Sequence, residues 1–173
     1  CTGKPTINFA ALSPAASWLA PPSNMILLSN PGNHKHVWAL LVDWYLVKTE
    51  SDVVRHLVRE RVLKPVMGSE FGGGSPDSAA IRAARANVRQ HMKYTNWLAG
   101  TRNWLAGTRL TYADLAAAAS LSVLDYLGEV SWSDYPAARD WYARMKSRPS
   151  FRPLLADRVR GLTPVSHYAD LDF

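Results

Sequence analysis

The sequence predicts an all-α fold, a bundle of about five helices between an irregular N-terminal segment and an extended C-terminal tail. The composition of the 173 residues is globular, because 47% are hydrophobic and 20% are charged. From Val37 onward, apolar residues recur at three- and four-residue spacing, which is the period of an amphipathic helix. Residues 1–42 contain no acidic residue but five of the eleven prolines, and no regular period persists there.

The first two helices are separated by a glycine-rich loop. Pro65 and Gly68 end the first helix, and residues 71–75 form the loop. Ser75 and Pro76 begin the second helix, which runs to about Ala99. The inward positions predicted for the first helix are Leu40, Leu41, Trp44, Val47, Val54, Leu57, Val58 and Val62.

A seven-residue repeat follows, since NWLAGTR occupies residues 96–102 and again residues 103–109. If the helix continues, Trp97 and Trp104 lie two turns apart. Gly100 and Gly107 each weaken a helix by about 1 kcal/mol relative to alanine. The second copy is therefore a candidate for a turn.

The strongest local signal is a capping box formed by Thr111 and Asp114. The third helix begins there and is apolar almost all round, so we expect it at the centre of the bundle. A fourth helix begins near Ser133 or Pro136 and ends at Pro149, and a short fifth helix follows Ser150.

Charge and cysteine content exclude several classes of protein. Cys1 is the one cysteine, so the chain has no internal disulfide, and a reducing cytoplasm fits best. Asp114 and Asp125 interrupt the longest apolar stretch, so we expect no membrane span. The formal charge of +6 permits an acidic partner. We expect no nucleic-acid partner, because no aromatic ladder accompanies the basic residues of the second helix.

That basic stripe consists of Arg82, Arg85, Arg89 and Lys93, three or four residues apart. A stripe of this kind can meet a phosphate or an acidic partner. We favour a solvated face that nearby carboxylates neutralise.

Two long segments resemble the helical C-terminal domain of the glutathione S-transferases: NWLAGTRLTYADLAAAASLSVLDYL and YPAARDWYARMKSRPSFRPLLADR. The resemblance runs from about Val37 to Asp157. Together with the residue patterns, it predicts three parts: an irregular segment over residues 1–36, a helical domain over 37–160 and a tail over 161–173. It leaves a homodimer open. The start at Cys1 instead of methionine is consistent with a fragment, a processed product or a mistranslated upstream frame, of which we favour a fragment. We expect residues 1–36 to be either a remnant or a mistranslated frame.

In complete members of this family, a thioredoxin-like domain precedes the helices and activates glutathione, the co-substrate. Residues 1–36 are too short for that domain, so we assign no catalytic residue and expect no glutathione bound to this chain. Glu50-Ser51 spells the family's γ-glutamyl-binding dipeptide, but it lies within or beside the first helix and is not assigned. His34 and His36 have no third ligand at a supportive spacing, so we predict no metal site.

The family resemblance implies that the first helix supplies part of the wall around a small electrophile. The candidates for substrate binding are Trp44, Tyr45, Lys48 and Arg55.

The closing HYADLDF resembles a bacterial subgroup of these proteins that includes a cell-division factor binding the tubulin-like FtsZ. A second hypothesis is therefore a non-catalytic module that engages a protein such as FtsZ through Tyr168, Leu171 and Phe173. Alternatively, Tyr168 and Phe173 fold back onto their own bundle.

Overall fold

The computed structural model describes residue 42, residues 44–171 and residue 173. This part of the chain is helical and forms no strand, which confirms the all-α fold class. Helix α1 covers residues 44–63, with π geometry over Trp44–Val54, α geometry over Arg55–Val58 and π geometry over Arg59–Leu63. The other helices are α2 (Ser78–Thr101), α3 (Tyr112–Tyr126), α4 (Pro136–Lys146) and α5 (Arg152–Ala156). Short 3₁₀ turns cover Ser69–Phe71, Trp132–Asp134 and Ser166–Ala169.

The buried face of α1 differs from the prediction. Tyr45, Thr49, Val53 and Leu57 are fully buried at a regular four-residue interval, whereas Val47 is 57% exposed. The inward assignment of Val47 is therefore wrong. Val54 and Leu57, from the same predicted set, are buried. A π-helix takes more residues per turn than the 3.6 of an α-helix, so the seven-residue spacing between Val47 and Val54 does not place both on one face in this part of α1. The predictions on Leu40, Leu41 and the side chain of Trp44 lie outside the described residues.

Helix α2 begins two residues after the predicted proline start. Asp77 is its N-cap, and the Asp77 carboxylate accepts hydrogen bonds from the N–H groups of Ala79 (2.8 Å) and Ala80 (3.2 Å). The glycine-rich loop before it is tightly closed. A Cβ on Gly73 would lie 1.9 Å from the carbonyl oxygen of Met67, so this position requires glycine.

The two NWLAGTR copies adopt different structures. The first copy ends α2 at Thr101, and the second makes a turn closed by two hydrogen bonds of 2.9 Å between Trp104 and Gly107. The prediction of a turn is confirmed. The turn carries Leu105 into the core, where its N–H donates to the Asp114 carboxylate (2.9 Å).

Helix α3 is central, as predicted, and packs against α1 and α4, while α2 packs against α1 and α4 from another side. Thr111 and Asp114 form the predicted capping box. Asp114 is fully buried and also accepts the indole N–H of Trp141 on α4 (2.9 Å). One carboxylate thus joins the turn, the start of α3 and the middle of α4.

The tail folds back onto the end of α3. The Tyr126 hydroxyl donates to the carbonyl of Leu162 (2.7 Å) and accepts the N–H of Val159 (3.0 Å). Gly128 has a φ of +70°, and a Cβ there would lie 2.6 Å from the side chain of Val165. The left-handed turn and the close approach of the tail both favour glycine at this position.

Candidate functional site

The candidate substrate residues of α1 lie on different faces of the helix. Tyr45 is fully buried, and its hydroxyl is hydrogen bonded to the Thr95 hydroxyl (2.7 Å). Burial raises the pKa of Tyr45 well above its ordinary value, so its hydroxyl stays protonated. Lys48 pairs with Asp52 (3.2 Å) at the helix surface. Arg55 is exposed and pairs with Glu50 (2.9 Å).

Helix α1 exposes two apolar residues that its sequence pattern did not indicate. Leu46 is 53% exposed and Val47 is 57% exposed, so these two neighbours present apolar surface between buried Tyr45 and half-exposed Lys48. The π geometry of this stretch is the structural feature that turns them outward. Only a reading with a longer helical period could have found them.

Glu50 and Ser51 are held by local contacts. Arg55 donates to both carboxylate oxygens of Glu50 (2.9 and 3.4 Å), and the Ser51 hydroxyl donates to the carbonyl of Lys48 (3.2 Å). These contacts explain the dipeptide by helix-surface interactions alone. His34 and His36 lie outside the described residues, and the described part holds no group of three or more metal-ligating side chains.

The tail residues Tyr168 and Phe173 are brought together with α3 and α4. We call the receiving surface the tail-docking site; it consists of Ser122, Asp125, Trp132, Tyr142 and Lys146. Tyr168 is 2% exposed, its hydroxyl is hydrogen bonded to Ser122 (2.9 Å), and its ring meets that of Tyr126 edge to face at 5.0 Å. The fold-back alternative for Tyr168 and Phe173 is the one observed.

Phe173 covers a buried lysine. The Nζ atom of Lys146, which has no exposed surface, lies 3.9 Å from the centre of the Phe173 ring. The same ring meets Trp132 at 5.2 Å and stacks on His167 at 5.6 Å. A desolvated cation over an aromatic face contributes about 2 kcal/mol. Arg139 adds a hydrogen bond from its Nε to the carbonyl oxygen of Phe173.

Asp125 is the charged centre of the tail-docking site. One carboxylate oxygen accepts from the Trp132 indole (2.8 Å) and lies 3.0 Å from Nε2 of His167. The other oxygen makes no hydrogen bond in the described structure and faces Lys146 Nζ at 3.7 Å. Burial raises the pKa of Asp125 and lowers that of Lys146, while each charge partly opposes the shift of the other. Placing these two charges side by side in the core therefore carries a desolvation penalty.

The docked tail leaves different side chains accessible from those predicted. Asp170 is exposed and Leu171 is half-buried, whereas Tyr168 is buried. The sequence patterns did not indicate Ser122, Asp125 and Lys146 as the partners of the tail. The available signal was the carboxylate of Asp125 in the otherwise apolar second half of α3, because a charged group there needs a partner when buried.

Residues 58–149, more than half of the chain, match the family described as "Glutathione S-transferase, C-terminal domain". The chain belongs to the glutathione S-transferase family. A crystal structure of a glutathione S-transferase from Sinorhizobium meliloti superposes with a TM-score of 0.79 at 56% identity, covering 91% of this chain and 71% of that one.

Two further matches are an FtsZ-localized protein and the solved structure of FzlA. FtsZ-localized protein A of Caulobacter vibrioides is 48% identical over 133 residues, which are 77% of this chain. The structure of FzlA from C. crescentus gives a TM-score of 0.74 at 46% identity, covering 81% of this chain and 60% of that one. This glutathione S-transferase-like chain spans 57% of the length of the curated relative. In the part of the chain that the structure describes, no helix is long and apolar enough to cross a membrane.

Proposed function

We propose that this chain is a binding module that engages FtsZ through the outer surface of its docked tail. The observation that carries the proposal is the fixed geometry of the tail, in which Tyr168 and Phe173 point inward and Asp170 and Leu171 remain accessible. The similarity to FtsZ-localized protein A supports the choice of partner.

The roles of the tail residues follow from their burial. Tyr168 and Phe173 position the segment, because their rings are held by Ser122 and Lys146. Leu171 supplies an apolar contact, and the exposed carboxylate of Asp170 fixes the orientation of the partner. A tail fixed in advance binds with less loss of conformational entropy than a free peptide.

Co-sedimentation with Caulobacter FtsZ filaments tests this function. The parent chain should pellet with the filaments, and deletion of Ser166–Phe173 should reduce the pelleted fraction at the same salt concentration. A parent chain that stays in the supernatant, or a deletion variant that pellets equally, would remove the tail from this role.

A second candidate function is the substrate-side wall of a glutathione-conjugating enzyme. The exposed Leu46 and Val47 favour it, because they give α1 an apolar surface that an electrophile could contact. Lys48 and Arg55 lie on the same helix, and Tyr45 stabilises it from inside.

Calorimetry with glutathione tests whether this chain alone supports that chemistry. We expect no binding in the millimolar range and no conjugation of 1-chloro-2,4-dinitrobenzene, because complete members of the family activate the thiol through a thioredoxin-like domain, for which residues 1–36 are too short. Saturable binding together with conjugation would contradict this expectation and would require a thiol-activating group in the chain.

A further inference from the structure

The basic stripe on α2 is divided by the structure into paired and unpaired arginines. Arg85 binds the Glu129 carboxylate through two hydrogen bonds (2.7 and 3.0 Å), and Arg82 donates to the Ser78 hydroxyl (3.2 Å). Arg89 makes no ion pair or hydrogen bond with any residue that the structure describes. The expected neutralisation by carboxylates thus applies to Arg85 and leaves Arg89 available.

Arg89 lies at a cleft of about 250 Å³ between α2 and the segment that joins α3 to α4. Its lining includes Val88, Arg89, Glu129, Ser131, Asp134 and Tyr135. Val88 is 3% exposed and forms an apolar part of the wall. The cleft is smaller than the roughly 300 to 1,000 Å³ of sites for drug-sized ligands. It therefore suits a small acid or a single acidic side chain.

Two hydroxyl groups in the cleft are free to donate. Tyr135 is 8% exposed, and its hydroxyl has no hydrogen-bond partner among the described residues. Ser131 lines the same cleft, and its hydroxyl likewise has no partner in the described part. Burial raises the pKa of Tyr135, so the phenol remains a protonated donor at neutral pH. Arg89, Ser131 and Tyr135 together supply a cation and two donors, which is the set that an oxyanion needs.

The charges around the cleft favour a single negative charge. The Glu129 side chain is 2% exposed and is bound by both Arg61 and Arg85, so its charge is compensated locally. Asp134 lines the cleft and repels an anion, most strongly a phosphate dianion. The cost of desolvating an anion rises with the square of its charge, whereas its attraction to Arg89 rises only in proportion to the charge, so a monoanionic carboxylate is favoured over a phosphate dianion.

We propose that this cleft is a carboxylate-binding site in which Arg89 pairs with the ligand and the hydroxyls of Ser131 and Tyr135 donate to it. The site is independent of the tail and of FtsZ. The carboxylate belongs either to a free small acid or to a glutamate or aspartate side chain of a peptide.

Titration of the full chain with propionate and with N-acetylglutamate amide, monitored by ¹H–¹⁵N correlation NMR, tests the proposal. Both probes carry a carboxylate on a short aliphatic chain, and N-acetylglutamate amide adds the flanking amides of a peptide. Tighter binding of N-acetylglutamate amide than of propionate therefore identifies a peptide ligand, and equal binding identifies a small acid. Propionamide is the uncharged control, and inorganic phosphate tests the preference for a monoanion. We expect saturable shifts at the amides of Ser131 and Tyr135 with both carboxylates and none with propionamide.

Three variants assign the contacts. Arg89→Gln and Tyr135→Phe should each weaken binding, by roughly tenfold and roughly fivefold, because hydrogen bonds to a charged group are strong. Arg82→Gln removes an equal charge from the same helix outside the cleft and should leave the affinity unchanged. The Tyr135→Phe chain retains its packing, and a thermal melt verifies its fold.

The proposal is overturned if the parent shows no saturable shifts, if phosphate binds more tightly than propionate, or if propionamide binds as well. It is also overturned if Arg82→Gln weakens binding as much as Arg89→Gln, because the attraction would then come from general charge.

Discussion

Asp114 and Asp125 are two fully buried carboxylates on one helix, but their surroundings differ. Asp114 accepts four hydrogen bonds: from the N–H groups of Leu105 and Thr111, the Thr111 hydroxyl and the Trp141 indole. Asp125 uses one oxygen for Trp132 and His167, and its other oxygen faces Lys146 at 3.7 Å without a hydrogen bond in the described structure. Both carboxylate oxygens of Asp114 therefore accept hydrogen bonds, whereas one oxygen of Asp125 accepts none in the described structure.

This difference in hydrogen bonding indicates that the two ends of α3 have different roles. A fully hydrogen-bonded carboxylate fixes a single arrangement of the elements that donate to it, because losing any donor leaves a buried charge unsatisfied. An ion pair that lacks direct hydrogen bonds depends on what covers it. At Asp125 the cover is the tail, through His167 and Phe173. The start of α3 therefore organises the bundle, and its end holds the surface proposed to meet a partner.

The largest effect is expected at Asp114. Replacement by alanine removes the acceptor for the buried N–H of Leu105 and the Trp141 indole as well as the helix cap, so the free energy of unfolding should fall by about 4 kcal/mol or more. Urea unfolding of the variant and the parent measures this change. Asp140→Asn, on the exposed face of α4, is the control and should leave the midpoint unchanged. A loss no larger than the 0.5 to 2 kcal/mol typical of a cap alone would contradict the role of Asp114 as a junction.

The pair of Asp125 and Lys146 should show strong coupling. Asp125→Asn or Lys146→Met alone leaves the other charge buried without its partner and should cost about 3 kcal/mol. The double variant removes both charges and should cost clearly less than the sum of the two single variants. Additive losses in urea unfolding would show that the pair does not interact across the 3.7 Å gap.

Phe173 tests whether the tail is part of the core. Phe173→Ala should lower the free energy of unfolding by about 2 kcal/mol, because it uncovers Lys146 and removes the contact with Trp132. Phe173→Leu keeps apolar cover without an aromatic face and should lose about half as much. Thermal melts of both variants measure the effect. An alanine variant as stable as the parent would mean that the tail does not contribute to the core.

A smaller, pH-dependent effect comes from His91 on α2. Burial lowers the pKa of His91 to about 4, and its Nδ1 is 3.1 Å from the Thr49 hydroxyl. In the unfolded chain, His91 takes up a proton below about pH 6.5, whereas in the folded chain it does so only near pH 4. Between these two pH values the proton binds to the unfolded chain alone, so the free energy of unfolding falls on acidification. Asp125 has the opposite sign, because a raised carboxyl pKa makes stability fall as pH rises.

Urea unfolding at several pH values separates the two contributions. The parent should lose about 1 kcal/mol more than His91→Gln between pH 7 and about pH 5.5. Parallel profiles for the two chains would exclude His91 as a source of the slope.

The sequence predicted the fold where the determinants are local. The capping box at Thr111 and Asp114 and the proline at the start of α4 are local signals, and both helix starts appear where expected. The burial of Tyr45 rather than Val47 depends on π geometry, which the α-helical period does not reveal. The two NWLAGTR copies show most clearly what local sequence does not determine, because the same seven residues end a helix in one copy and form a turn in the other. The Leu105 hydrogen bond to Asp114 is a tertiary contact that helps to hold the turn.

The candidate site was less predictable because its parts are distant in sequence. The aromatic residues of HYADLDF were visible as anchors, but nothing local specified that Tyr168 would meet Ser122 or that Phe173 would cover Lys146. Tyr168, which the sequence suggested as a contact for a partner, is buried, whereas Asp170 is exposed.

The most direct test of the proposed function is FtsZ co-sedimentation with a variant that changes Asp170 and Leu171, the accessible residues of the docked tail. Asp170→Asn combined with Leu171→Ala should keep the chain folded, as a thermal melt verifies, and should reduce the affinity for Caulobacter FtsZ by at least about tenfold. The matched control, Asp140→Asn with Leu63→Ala, makes the same chemical changes away from the tail and should pellet like the parent. Equal pelleting of the tail variant and the parent, or an equal loss in the control, would contradict the docked tail as the FtsZ-binding surface.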